Sequence, residues 1–197
     1  AAYNPPIDAP FDVLVLCTGN ICRSPMAEAL LRARLQARGI DALVSSAGIT
    51  FEGRAATDDA IDAATRYGLD LTEHRSRVIS PEIVATPDLI IGMERLHARE
   101  AVVLGDSLFG RCFTLKELVR RSELVGPRGR EETVDSWLRR VGMGRRPMDL
   151  LGDSDDDNVA DPYLGSPKVY AACIAELDDL TRRLVDHMWP EAREGVA

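Results

Sequence analysis

The chain has 197 residues, of which 45% are hydrophobic and 28% charged, with 15 Gly and 11 Pro; this suffices for one core of ordinary size and excludes collagen-like or low-complexity sequence. Its formal net charge of -8 disfavours binding to nucleic acid or anionic membrane surfaces, which requires a basic field. No apolar run approaches the roughly 20 residues of a membrane-inserted span, and four Cys in a chain of this length do not form a disulfide framework.

Residues 1–10 begin Ala1-Ala2-Tyr3-Asn4-Pro5-Pro6, without the basic and apolar regions of a signal peptide. They are expected as a flexible lead-in to one domain over 11–197, and the expected location is cytoplasmic, with reduced thiols. Phe11–Leu16 is a short Val-rich run that reads as a buried strand. Ser24-Pro25 supplies a cap residue and a first-turn proline, Ala27, Leu30, Leu31 and Leu35 continue at helical spacing, and Gly39 ends the helix. With a second strand at Ala42–Ser46 this makes a βαβ unit, hence a parallel sheet. Thr57 caps a helix to about Tyr67, and His74-Arg75-Ser76-Arg77 is a polar connection. Pro87–Gly92 is a third strand, Arg95–Leu104 a helix, Arg111–Thr114 a weak fourth strand, and Ser166–Met188 a long final helix.

Between Leu118 and Asn158 the composition changes: Arg pairs, Gly-Pro, and the acidic run Asp153–Asp157 interrupt the core pattern. This segment is expected as a partly mobile insertion within the domain, with one short helix around Trp137 and Leu138. Its charge runs read first as solvated loop, and Arg120, Arg121, Arg139, Arg140, Arg145 and Arg146 as a candidate docking face for acidic phosphoproteins. His97 and His187 are taken as surface or helix residues without a function.

The chemistry concentrates in the loop Cys17-Thr18-Gly19-Asn20-Ile21-Cys22-Arg23-Ser24. Cys17 falls at the carboxyl end of a parallel strand, where open α/β sheets bind ligands. The next helix turns its positive end into the same loop. Gly19 and Asn20 tolerate left-handed backbone, so the loop can turn its N–H groups inward as an anion nest. Arg23 adds a planar fork suited to two phosphate oxygens. Such a field favours a Cys17 thiolate beneath a bound phosphate, aimed at phosphorus. Two thiols in one loop also raise a reversible Cys17–Cys22 disulfide as redox protection.

CTGNICRSP resembles the active-site signature of the low-molecular-weight protein tyrosine phosphatases. Ser45-Ser46-Ala47-Gly48, the His74 connection and Asp161-Pro162-Tyr163 resemble further parts of that family in the same order. The resemblance covers about 11–115 and 159–188, making this a longer member with an insertion at about 118–158 before the general-acid loop. It implies a doubly wound, flavodoxin-like α/β fold: four mostly parallel strands with helices on both faces. It implies hydrolysis of phosphotyrosine-type aryl phosphates through a phosphocysteine, with neither metal nor other cofactor, on a phosphotyrosine-containing protein or a small aryl phosphate. Cys17 would be the nucleophile, Arg23 the phosphoryl-binding group, and Ser24 a hydrogen-bond partner of the thiolate. Asp161 would be the general acid and then the base. Thr18, Gly19, Asn20, Ile21 and Cys22 complete the phosphate loop, with Ser46 and His74 as braces. Tyr163, Leu164 and Phe51 are the expected walls of the substrate slot.

Two other readings compete. A thiol-dependent arsenate reductase shares the fold and a similar loop but needs further cysteines for a disulfide relay, and Gly92–Gly110 contains none. A non-catalytic phosphotyrosine-binding module would not require Cys17, Arg23 and Asp161 together. Neither oligomeric state nor physiological substrate follows from the residues.

Overall fold

In strand β1 (Phe11–Cys17) successive side chains point to opposite faces, and both faces are buried. Val13, Val15 and Cys17 join one hydrophobic cluster; Leu14 and Leu16 join another. This central strand explains the uninterrupted apolar run in the sequence. β2 (Ala42–Gly48) and β3 (Leu89–Gly92) pair with it on either side, and β4 (Cys112–Thr114) pairs with β3. The order is β2-β1-β3-β4 and every pairing is parallel. This computed structural model describes residues 10–191, so the expected flexible lead-in lies, apart from Pro10, outside the described residues.

The larger cluster is covered by α1 (Arg23–Ala37), α2 (Asp58–Thr65), α5 (Leu115–Val125), α6 (Val134–Val141) and α7 (Pro167–Met188). The opposite face is covered by α3 (Pro81–Ala85) through Val84 and by α4 (Arg95–Leu104) through Ala98 and Ala101. Helices on both faces of a parallel sheet define the doubly wound, flavodoxin-like class. α7 carries its stripe Cys173, Leu177, Leu180, Leu184 and Met188 into the larger cluster. Beyond it, Trp189 meets the Phe11 ring edge-on at 5.3 Å.

The segment 118–158 departs from its expectation. Thr114 caps α5 by accepting from the Glu117 amide at 3.1 Å, and Thr133 caps α6 from the Ser136 amide at 3.1 Å. Leu118, Val119, Trp137, Leu138 and Val141 are buried in the main core, and the Trp137 indole donates to the Gly126 carbonyl at 3.1 Å. Two short helices each present an apolar stripe, and their charges neutralise one another over it. Each of the six arginines, expected as a docking face, is engaged by an acid or a carbonyl of the chain itself. The Arg145 side chain is enclosed, paired with Glu117 at 2.6 Å and stacked on Phe113 at 3.9 Å. Arg120, Arg139, Arg140 and Arg146 are held by Asp157, Asp135, Glu132 and Asp149, and Arg121 by the carbonyls of Val141 and Met143.

The register aligns Cys17 with Gly48, and Leu16 with Gly92, at the carboxyl edge of the sheet. A Cβ on Gly48 would lie 2.8 Å from the Thr18 carbonyl oxygen and 2.9 Å from the Asn20 nitrogen. Glycine there lets the β1–α1 loop rest directly on the end of β2.

Candidate active site

Residues 18–22 leave β1, curl, and enter α1 at Arg23. Asn20 makes the curl possible, with φ of 53°. Its buried amide also ties the loop to its surroundings. Nδ2 donates to Ser24 Oγ at 2.9 Å and Ser46 Oγ at 2.8 Å, and Oδ1 accepts from the Arg77 amide at 3.0 Å. The Asn20 carbonyl accepts from His74 Nε2 at 2.6 Å. Ser46 and His74 thus both bond to Asn20 of the loop. Gly19 is not at positive φ; it admits the Phe51 ring, which would lie 3.1 Å from an added Cβ.

Cys17 Sγ accepts from the Asn20 amide at 3.2 Å and lies 3.0 Å from Ser24 Oγ. Ser24 is inside the first helical turn instead of capping it, and its hydroxyl is committed to Cys17 and Asn20. Cys22 has other partners: its Sγ is 3.5 Å from Thr57 Oγ1 and 3.4 Å from the Tyr170 hydroxyl. Burial pushes the Cys22 thiol up, so it stays protonated where a thiolate would be costly. All four cysteines are free.

Arg23 is the junction of the site, with 1% of its surface exposed. Nη1 donates to the Val159 carbonyl at 2.9 Å and to the Glu94 carboxylate. Nη2 donates to Asp161 Oδ2 at 2.8 Å and, more loosely, to Thr18 Oγ1 at 3.4 Å. Burial opposes the guanidinium charge, but Asp161, Cys17 and Glu94 outweigh it and hold its pKa above the ordinary value.

The loop that carries Asp161 is itself anchored. Asp157, last of the acidic run expected to be solvated, is buried and accepts from Arg95 Nε and Arg120 Nη2, each at 2.7 Å. Burial pushes that carboxyl up, but the two guanidiniums win and lower it. Asn158 Oδ1 accepts from the Arg95 amide at 3.0 Å, and the Val159 amide donates to the Met93 carbonyl at 2.8 Å. These bonds fix the chain just before Asp161.

A cavity of about 170 Å³ is lined by Cys17, Thr18, Gly19, Ile21, Cys22, Arg23, Thr50, Phe51, Asp161 and Tyr163. The loop, Asp161 and two of the three residues expected as walls therefore line one cavity. Leu164 does not: it is 87% exposed, with φ of 62°. The Gly165 amide closes a turn onto the Pro162 carbonyl at 2.8 Å, with Leu164 at the corner facing solvent. No group of three or more His, Cys, Asp or Glu able to hold a metal occurs among the described residues. None of their helices is long and apolar enough to cross a membrane.

Sequence reasoning missed Glu94, His97 and Thr50. His97 is fully buried, its Nε2 lying 2.9 Å from Thr18 Oγ1. The available signal was position: Glu94 and His97 open the helix after β3, at the same sheet edge as Cys17.

A thiol held by the Asn20 amide and the Ser24 hydroxyl, a buried guanidinium and a carboxylate lining the same cavity define a cysteine-based phosphatase site. The family profile described as low molecular weight phosphotyrosine protein phosphatase matches residues 12–126. The chain is 39% identical over 141 residues to a probable low molecular weight protein-tyrosine-phosphatase, EpsP, of Ralstonia solanacearum, covering 66% of this chain and 94% of that one. It is 30% identical over 187 residues to the protein-arginine-phosphatase of Bacillus subtilis, covering 92% of this chain and 99% of that one. The crystal structure of a low molecular weight protein tyrosine phosphatase from T. tengcongensis superposes with a TM-score of 0.66 at 29% identity, covering 89% and 97% of the two chains. The chain belongs to the low molecular weight protein tyrosine phosphatase family and is a phosphatase.

Proposed function

We propose that this phosphatase hydrolyses aryl phosphate monoesters of the phosphotyrosine type, without a metal, through a phosphocysteine. Cys17 attacks phosphorus as its thiolate while the bond to the phenolic oxygen breaks and Asp161 protonates the departing oxygen. Asp161, now a carboxylate, takes a proton from water, which attacks phosphorus as the P–S bond breaks. Ser24 donates to the returning thiolate, and inorganic phosphate leaves. The transition states place charge on the equatorial oxygens, where the loop amides and Arg23 meet it.

The observation that carries this reading is the convergence on one cavity of Cys17, with its two hydrogen-bond partners, and the Arg23–Asp161 pair. The aryl preference is supported by Ile21, Phe51 and Tyr163, which give the cavity apolar walls suited to a flat ring. The Bacillus subtilis relative favours a second substrate, phosphoarginine. A phosphoguanidinium carries N–H groups that need acceptors, and the Ile21 side chain offers none.

Paired peptides of one sequence, bearing phosphotyrosine or phosphoarginine, test the choice with EDTA present. The expected result is a higher kcat/KM on phosphotyrosine, and a smaller gap in Ile21→Thr. Preference for phosphoarginine by the wild type would reverse the substrate assignment. Dependence on added metal would overturn the metal-free mechanism.

A further inference from the structure

We infer that His97 is a positioning residue that fixes the Thr18 hydroxyl as a hydrogen-bond donor to the oxyanion in the loop. This rests on the phosphatase reading of the same site and adds a donor that the loop amides and Arg23 do not provide.

Proton placement around the imidazole sets this polarity. The Glu94 amide donates to His97 Nδ1 at 3.0 Å, so that nitrogen carries no hydrogen. Burial, with Arg23 nearby, keeps the imidazole neutral and its pKa down at about 3. Its single hydrogen is therefore on Nε2 and points at Thr18 Oγ1, 2.9 Å away. Arg23 Nη2 donates to the same oxygen at 3.4 Å. A hydroxyl has two lone pairs and one hydrogen. With both lone pairs engaged, the Thr18 hydrogen must take the remaining direction. Thr18 lines the cavity beside Cys17, Arg23 and Asp161, where a phosphoryl oxygen is the acceptor that matches it. A reversed histidine ring would not impose this polarity, and a protonated one would leave the Glu94 amide without its acceptor. The β3–α4 turn thus reads through two bonds into the chemistry of the β1–α1 loop.

Asparagine and glutamine separate the two duties of His97. His97→Asn retains an acceptor near Nδ1 for the Glu94 amide but loses the donor to Thr18. His97→Gln keeps a donor near Nε2. Thr18→Val removes the hydroxyl and Thr18→Ser restores it. The readouts are KM and kcat on an aryl phosphate and the affinity for inorganic phosphate, measured by inhibition and by calorimetry, with thermal unfolding recorded for each variant. His97→Asn and Thr18→Val should each weaken phosphate and raise KM by roughly tenfold, with kcat changed much less. The double variant should be no weaker than Thr18→Val alone. His97→Gln should recover most of the phosphate affinity that His97→Asn loses, and Thr18→Ser most of what Thr18→Val loses. Unchanged phosphate affinity in a folded His97→Asn, or effects that multiply in the double variant, would overturn the inference while leaving the phosphatase reading intact. A wild type that neither binds phosphate nor hydrolyses the aryl ester would overturn both.

Discussion

The backbone amide of Asn20 donates to the Sγ of Cys17 across 3.2 Å, from a residue whose side chain bridges Ser24 and Ser46. One residue therefore shapes the loop, donates to the sulfur and holds the serine that also faces it. Asn20→Ala loses the side-chain bridges and places a Cβ without compensation at positive φ. The expected cost is about 2–4 kcal/mol of stability, combining left-handed strain with buried partners left unpaired. Chemical denaturation checks this, and kcat/KM should fall roughly 10- to 100-fold as the sulfur loses its alignment.

Cys17→Ser should abolish turnover of an aryl phosphate. Asp161→Asn should retain formation of the phosphoenzyme from esters with good leaving groups but slow turnover by about 10²–10⁴. Rates over a series of substituted phenyl phosphates decide it. If the acid is lost, the dependence on leaving-group basicity steepens; equal slopes for wild type and variant would remove Asp161 from that role.

Folding stability should carry the signature of His97. In the folded chain it protonates only at about 3, against 6.5 for an imidazole free in water. Between these limits the unfolded chain binds the extra proton, so stability is complete above pH 6.5 and falls as pH drops toward 3. The slope from this residue approaches about 1.4 kcal/mol per pH unit. Urea titrations at several pH values should show a shallower decline in His97→Asn than in wild type.

Gly48→Ala should damage the site without touching any polar side chain. The added Cβ meets backbone of Thr18 and Asn20 at 2.8–2.9 Å, so the loop must shift. Weaker phosphate binding together with a lower kcat is the expected pattern, measured by phosphate inhibition and steady-state turnover.

Trp137→Ala should cost about 3–5 kcal/mol, as for a large aromatic removed from a packed core. A change of under about 1 kcal/mol in denaturation would mean that α6 contributes little to the fold.

The strand, loop and helix around Cys17 were legible because their signals are local: an apolar run, residues tolerant of tight turns, then helical spacing. The parallel sheet followed from connection length. The Asp-Pro-Tyr context pointed to Asp161 and Tyr163, which line the cavity together with Phe51. Leu164 does not, because a tight turn at Pro162–Gly165 decides which side chain faces the cavity. His97 and Asp157 were misread for a common reason. A polar residue in a charged or helical stretch looks solvated until the fold supplies its partner, here Thr18 for one and Arg95 with Arg120 for the other. The short helix expected around Trp137 is present as α6, but its packing with α5 on the core was obscured in the same way, since Arg120 and Arg145 meet Asp157 and Glu117 only after folding.

The placement of the two tryptophans gives the protein a built-in optical record. Trp137 has no contact with solvent, while Trp189 is partly exposed against Phe11 at the far end of α7. Indole emission shifts to longer wavelength when water reaches the ring. Loosening of α5 and α6 alone would therefore redden one emitter and leave the other unaltered, and single-tryptophan versions would tell whether the whole chain melts in one step.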